Sequence, residues 1–586
     1  MIAFFSNRIK VTILKIRGLH KLLILLLISP CSFSQPSPLY PKGYFIWPLD
    51  ITPEIVANFG ELRNNHYHMG LDCRTAQKQN LPVFAVAEGY IARVKIEPLG
   101  YGRAIYIDHP TGFTTLYAHL NEFFPELERY VKEQQYKLKS WSVDLTIPSN
   151  LFPVEKCHFI AYSGNTGASQ GPHVHFEIRE TRTEKVLNPS LFGMPVPDTL
   201  PPDVYRLAVY DRNISTYEQN PKLYPLKKLN GVYRTTPSLI EVNTDRVSFG
   251  ITATDRCNGS SNRNGIYEAF LYDSGKMITG FRMNNIGYDE TRYLNAHIDH
   301  KLKSSGGPYV QHLSQLPGYK DGIYLRPGNT DLVLLNDSST RGMKITVTDA
   351  DGNSSELIFD IRQSIKEEVK RTTSPVLNAG QQWFAPGMIN VFENENISFY
   401  LPPGCLYDSF RFVYSEIRPK QDNPVYQLHN VSIPLHSYFP LSMKASTTLP
   451  GKMVMHRFAN GRHDYAKAEP VKNGSQEGWF RASFREFGSF QLLTDTLPPS
   501  IRPLGFKEGM NTGKLKQLVF VITDNTEEIK DFTATLDGQW LRFSNDKGRR
   551  FVYDFDNMCA PGEHELKITA EDQVGNITTK VYHFTR

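Results

Sequence analysis

The stretch Gly171-Pro-His173-Val-His175-Phe-Glu177-Ile-Arg179 alternates strictly, with Val174, Phe176 and Ile178 on one side of an extended chain and His173, His175 and Glu177 on the other. The apolar side belongs to a core. Two aligned imidazoles are an odd choice for the polar side, where half-buried strands usually carry Thr, Lys or Glu. Upstream, segments 82–87, 90–96, 103–108 and 113–119 alternate in the same way, separated by Glu88-Gly89, Gly100-Tyr-Gly102 and His109-Pro-Thr-Gly112. These predict an antiparallel sheet. Phe123, Leu127, Tyr130 and Val131 lie three to four residues apart and predict one helix over about 121–140.

Two further segments of this region concentrate metal-binding side chains. In Asn65-His66-Tyr-His68-Met-Gly70-Leu-Asp72, an extended chain places His68, Gly70 and Asp72 on one face, and the glycine leaves room for an ion. A helix would also align 68 with 72, but Gly70 and the surrounding turn residues disfavour it. The second segment is Tyr117-Ala-His119-Leu120, at the end of a strand. Two histidines and one aspartate make a neutral-nitrogen, anionic-oxygen set suited to zinc, with a fourth position open for water as a catalytic site requires.

His68-x-Gly70-x-Asp72, Tyr117-Ala-His119-Leu120 and Gly171-Pro-His173-Val-His175-Phe-Glu177, in that order, resemble the motifs of the lysostaphin-type, LytM-like zinc metalloendopeptidases, which cut peptides of bacterial cell walls. The resemblance covers about residues 43–195. It implies that His68, Asp72 and His175 ligate Zn2+, while His119 and His173 activate water and stabilise the tetrahedral oxyanion. Two departures stand out: Glu155-Lys-Cys157-His-Phe-Ile160 replaces a turn where relatives commonly place glycine, and Cys73 directly follows an implied ligand. Some LytM-like domains lack ligands and act instead as amidase-activating or wall-binding scaffolds. That is the alternative function, yet no ligand residue is missing here. The long segment between His119 and Gly164 is expected to wall the substrate groove.

At roughly 100–200 residues per domain, 586 residues predict about three to five domains. Asp198-Thr-Leu-Pro-Pro202 recurs as Asp495-Thr-Leu-Pro-Pro499, each copy leading to an apolar strand that ends in Thr-Asp, at Asp255 and Asp524. Ile345-Thr-Val-Thr-Asp349-Ala-Asp-Gly-Asn353 likewise matches Ile568-Thr-Ala-Glu-Asp572-Gln-Val-Gly-Asn576. The fold expected is mostly β: a signal peptide at 1–34, a LytM-like antiparallel β-sheet peptidase domain at 36–197, and about three β-sandwiches. The sandwiches are placed at 198–365, immunoglobulin-like with an insertion near 275–340, at 373–494, and at 495–586, again immunoglobulin-like. Aromatic content of 12% with 41 Gly and 38 Pro fits short strands and tight turns.

Residues 1–34 hold Arg8, Lys10, Lys15, Arg17 and Lys21 and no acidic residue, so their removal takes the formal charge from +5 to zero. A neutral mature chain is a poor nucleic-acid binder. The basic stretch, the apolar run 22–28 and Ser32-Phe-Ser34 have the layout of a secretory signal, predicting export to the periplasm, the cell envelope or beyond. Pro30 before Cys31 argues against a lipoprotein. No other apolar run of about 18 residues or more is present, so no transmembrane span is expected in the mature chain. The expected partners are peptidoglycan peptides, with envelope proteins met through the sandwiches. Five scattered mature cysteines form no disulfide framework, and Cys73 and Cys157 are read either as a pair or as separate thiols. His66, His109 and His158 are read as structural. His297-Ile-Asp299-His300 is read as a polar network, and the turn at 349–353, which superficially resembles a calcium loop, is read as a sandwich turn, since the Glu of loop position 12 is missing and the turn recurs at 572–576. GxSxG, HExxH and Walker patterns are absent, which removes serine-hydrolase, thermolysin-like and nucleotide-driven chemistry.

Overall fold

The alternation at 173–180 forms the strand His173–Glu180, whose Val174, Phe176 and Ile178 are wholly buried. The computed structural model describes residues 40–364 and 381–586 apart from 321, 329, 420–422 and 472–477. The leader at 1–34 with Cys31, and the charged stretch 366–371, lie outside the described residues.

His173–Glu180 pairs antiparallel with Leu71–Arg74 on one side and Phe113–Ala118 on the other. The sheet continues through Arg103–Asp108 and Gly89–Ile96 to Val143–Thr146, and beyond Leu71–Arg74 to Ile55–Ala57. Pro82–Phe84, Phe159–Ser163 and Leu120–Phe123 form a second, three-stranded sheet. The helix is Pro125–Leu138, shorter at its start than the spacing suggested. Pro125 fixes φ at the first turn, so Phe123 stays in a strand, while Leu127 and Val131 bury the apolar face.

The segment around Gly70 is not one extended strand. His66–Tyr67 pairs with Leu62–Arg63, three residues link it to Leu71–Arg74, and His68 lies in that link. Gly70 is required by close approach: a Cβ there would run into the carbonyl oxygen of Phe176. The space expected to receive an ion is therefore filled by the neighbouring strand.

Residues 203–363 supply an eleven-stranded sheet system folded over an apolar core. That core does not stop at residue 203. Phe59, Tyr67, Met69 and Val186 belong to the same cluster as Phe249, Phe281 and Met283, and Asn285–Ile286 pairs with Val186–Leu187. Separate cores fill the six- and five-stranded sheets of 381–494 and the three- and five-stranded sheets of 500–585. The recurrent sequence segments occupy equivalent strands. Asp203–Asp211 pairs with Arg246–Thr254 as Ser500–Leu504 pairs with Gln517–Thr523. Arg341–Thr348 lies between Glu268–Asp273 and Ser354–Gln363 as Glu563–Asp572 lies between Ile529–Leu536 and Ile577–Thr585. The whole of Lys42–Arg586 forms one compact unit, and no helix among the described residues is long and apolar enough to cross a membrane.

Candidate metal centre

Asp72 stands directly opposite His175 in the strand pair, and the link before Leu71–Arg74 brings His68 over both. His68 Nε2 lies 2.9 Å from Asp72 Oδ1 and 3.0 Å from His175 Nδ1, and His175 Nδ1 lies 2.9 Å from Asp72 Oδ1. All three side chains are buried.

The partners on the far sides of the rings assign their protons. His68 Nδ1 is 2.8 Å from the Asn58 carbonyl, which only accepts, so Nδ1 carries the hydrogen and Nε2 presents its lone pair. His175 Nε2 donates to Glu177 Oε1 at 2.9 Å, and Glu177 is itself bound by Arg179 at 2.8 Å. Asp72 gives its other oxygen, Oδ2, to Arg63 Nη2 at 2.8 Å. Two lone pairs and one carboxylate oxygen thus face a common point, where only a proton or a cation relieves their repulsion. Burial opposes charge on His175, but hydrogen bonds and attraction from Asp72 and Glu177 push its pKa up to about 9. Burial likewise opposes charge on Asp72, yet the attraction of His68 and hydrogen bonds from His173, His175 and His68 hold its carboxyl well below the usual range. Donor separations of 2.9–3.0 Å approach the edge of roughly 3.3 Å in a tetrahedron with bonds of about 2.0–2.1 Å. The donor set fits a metal, and the carboxylate–histidine pairing behind it is the orienting arrangement that metal sites use.

His119 follows the last residue of Phe113–Ala118 and adopts φ 61, uncommon for a non-glycine residue. Its backbone N–H bonds the Tyr101 carbonyl at 3.0 Å, and its Nδ1 bonds the Thr166 carbonyl at 2.9 Å. Burial, with the neighbouring His175 and His173, drives its pKa down to about 3, so the ring is neutral. His173 Nδ1 bonds the Gly171 carbonyl at 2.8 Å, its Nε2 is 3.4 Å from Asp72 Oδ1, and its ring centre is 4.8 Å from that of His119. All five positions singled out in the sequence therefore border one cleft of about 1220 Å³.

The groove wall expected from 120–163 is not there: none of those residues lines the cleft. That segment turns instead to the last sandwich, with Lys132 Nζ 2.6 Å from Asp556 Oδ2 and the Tyr136 ring against Trp540. The cleft is walled by the 61–66 turn, Tyr101, the 168–172 loop, and Tyr288 and Tyr309 from the first sandwich. Tyr288 and Tyr101 each donate to Glu177 Oε1 at 2.6 Å. No local sequence pattern marks Asn58, Arg63, Tyr101 or Tyr288, because their meeting with the site depends on long-range packing. Glu177 was visible on the histidine face of its strand.

Cys157 takes φ 68, the left-handed conformation that glycine adopts most readily, so a tight turn forms there without a glycine. Among the described residues all cysteines are free, with Cys73 buried and Cys157 exposed, which leaves the separate-thiol reading. His109 bonds the Glu88 carbonyl and Thr115, a structural role. His297 bonds Tyr324 and Gln311, Asp299 caps the helix His300–Ser304 and accepts from Tyr210, and His300 bonds the Ser432 carbonyl.

Residues 66–136 match the family described as Peptidase family M23, and residues 381–495 match a Zu5-like domain. The DD-carboxypeptidase/endopeptidase Mpg of Neisseria meningitidis serogroup B is 32% identical over 171 residues, 29% of this chain and 30% of that protein. The cell division protein DipM of Caulobacter vibrioides is 27% identical over 144 residues, 25% of this chain and 19% of that protein. The catalytic domain of the antimicrobial peptidase lysostaphin from Staphylococcus simulans is 21% identical, covering 23% of this chain and 87% of that domain with a TM-score of 0.17. The chain spans about 30% of the length of the Neisseria relative.

Proposed function

Because the chain carries a LytM-type peptidase domain of family M23, we propose that it is an exported zinc metalloendopeptidase that hydrolyses peptide bonds of bacterial cell-wall peptidoglycan. One observation carries the proposal: the donor atoms of His68, Asp72 and His175 converge within 3.0 Å of one another beside two further histidines at the wall of an open cleft. His68, Asp72 and His175 are the residues that would hold the metal. Zinc bound there would polarise the scissile carbonyl and lower the pKa of its water.

The remaining steps belong to the chain itself. His119, neutral and with Nδ1–H committed to the Thr166 carbonyl, presents Nε2 to accept a proton from the attacking water. His173, with Nδ1–H held by the Gly171 carbonyl, turns Nε2 towards the same space, and in the imidazolium form, with hydrogen on both ring nitrogens, its Nε2–H donates to the oxyanion of the tetrahedral intermediate. Arg63 and Glu177 hold Asp72 and His175 in place. The basic, apolar leader at 1–34 supports export. The names of the relatives, an endopeptidase and a cell division protein, support a wall substrate. The sandwiches would seat the domain on envelope partners.

Purified wall fragments incubated with the mature protein, with and without chelator, test this by mass analysis of the products. Chelator-sensitive cleavage of peptide bonds is expected. His175→Ala should lose bound zinc. His119→Ala and His173→Ala should keep zinc and fold while losing on the order of 10²–10³ in rate, about 3–4 kcal/mol. Parent-rate turnover by both latter variants, or no cleavage of any wall type by the parent even with candidate activators, would leave the scaffold reading in its place.

A further inference from the structure

Asp198, Asp255 and Asp349 bring one carboxylate oxygen each within 4.8 Å of one another, and Asp495, Asp524 and Asp572 do the same at the equivalent place in the last sandwich. In each sandwich the first aspartate precedes the opening strand, the second follows its antiparallel partner, and the third closes the strand that begins the final hairpin. The hydrogen bonds repeat as well. Asp198 Oδ1 accepts from Leu200 N and Asp495 Oδ1 from Leu497 N. Asn353 and Asn576 each donate to the third aspartate and to the backbone carbonyl of the first.

A tight turn accounts for the third aspartate alone. Asp349 Oδ1 receives the N–H groups of residues 351–353, and Asp572 Oδ1 those of Val574 and Asn576. It does not account for a buried carboxylate oxygen without any hydrogen-bond partner in each cluster: Asp255 Oδ1, in a residue 4% exposed, and Asp495 Oδ2, in a residue 3% exposed. Asp524 Oδ1 is a third such atom. A buried carboxylate oxygen that lacks a donor is costly to charge, and burial with the neighbouring Asp198 and Asp349 pushes the Asp255 carboxyl up to about 8. Nearby cations are bound to other acceptors, Arg256 to Asp203 at 3.0 Å, Lys530 to Glu571 at 2.5 Å and Lys452 to the Val574 carbonyl at 3.1 Å. The first cluster also lines a cavity of about 30 Å³ together with Ile55, Asn58 and Leu71 of the peptidase domain, room enough for an ion.

We propose that each aspartate trio is a calcium site, one at the entrance to each of the two repeated sandwiches. All-oxygen, carboxylate-rich donors drawn from three separate segments suit a hard cation of flexible coordination. The ion ties the residue that leads into the sandwich to the ends of two of its strands. In the first repeat it also faces Asn58, whose carbonyl orients His68.

Calcium titration of the chelator-treated full chain, read by calorimetry and by the thermal midpoint, tests the proposal. Two ions per chain are expected, saturating at millimolar calcium or below, since extracellular calcium modules bind at about 10⁻⁴–10⁻³ M. Asp255→Asn and Asp524→Asn should each lose one ion, and the double variant both, whereas His175→Ala should keep two. Removing one charge relieves repulsion, so calcium-free Asn variants should melt no lower than the calcium-free parent while losing part of the calcium-induced rise. No binding by the parent up to about 10 mM calcium, or unchanged stoichiometry in the double variant, overturns the assignment. Should a variant fail to fold, the parent decides: a calcium-independent midpoint counts against the sites, and a rise with two ions bound supports them.

Discussion

The units at 203–363 and 500–585 share several strand pairings and recurrent sequence, yet they meet the peptidase domain through surfaces of different character. The first shares an apolar core with it, where Met283 packs against Gly60 and lies in one cluster with Phe59, Tyr67 and Phe281. The last touches it through polar groups and a ring pair: Asp556 on Lys132, Arg542 on Gln135, Lys547 on the carbonyls of Gly167 and Ser169, and Trp540 edge-on to Tyr136. The difference follows from the insertion. Its strand Asn285–Ile286 extends the peptidase sheet and carries Tyr288 to the cleft, while the second repeat has no counterpart. The first repeat shares a core and a sheet with the domain that carries the candidate site, whereas the last has a core of its own.

The largest effect that would break this contrast is on stability. Met283 is fully buried between the peptidase domain and the first sandwich, so Met283→Ala should cost about 2–5 kcal/mol and lower the melting of both together. Phe520→Ala, in the core of the last sandwich, should cost about 3–5 kcal/mol but lower only that module's transition. Calorimetry of the two variants reads this directly. If Met283→Ala leaves the peptidase domain's transition where it was, the shared core is not a cooperative unit.

What the sequence disclosed and what it withheld divide along the same line. Alternation within His173–Glu180 exposed a strand with a histidine face, because side-chain direction in a sheet is a local, period-two property. The motif at 66–72 named side chains that the structure brings together, but on a different backbone, since two short strands with different partners replace a single extended one. Helix length at Pro125 was a local matter that spacing alone overran. The groove wall was misplaced for a non-local reason: Tyr288 and Tyr309 come from more than 100 residues downstream, and no periodicity links them to His175.

A smaller effect would sharpen the claim that the first sandwich belongs to the site. Tyr288 donates to Glu177, which orients His175 and is also held by Tyr101 and Arg179. Tyr288→Phe removes one of several bonds to a charged group at a partly exposed position, so about 1–1.5 kcal/mol, roughly tenfold in kcat/KM, is expected with zinc retained. Parent-like kinetics for both Tyr288→Phe and Tyr288→Ala would make the sandwich a passive wall.

The smallest effect concerns the last sandwich. Lys547 Nζ donates at 2.9 Å to the Gly167 carbonyl and at 2.8 Å to that of Ser169, beside the loop that ends in His173. The lysine is exposed, so each bond replaces one that water supplies well, and the ammonium remains largely screened. Lys547→Met should therefore cost less than about 1 kcal/mol and change turnover by no more than about threefold. Its signature is local: faster amide hydrogen exchange at 167–171, where docking restrains the loop, with exchange in His173–Glu180 unchanged because that strand is held by sheet partners on both sides. A loss of rate as large as that expected for Tyr288→Phe would mean that the last sandwich, too, shapes the catalytic cleft, and the contrast between the repeats would be one of degree.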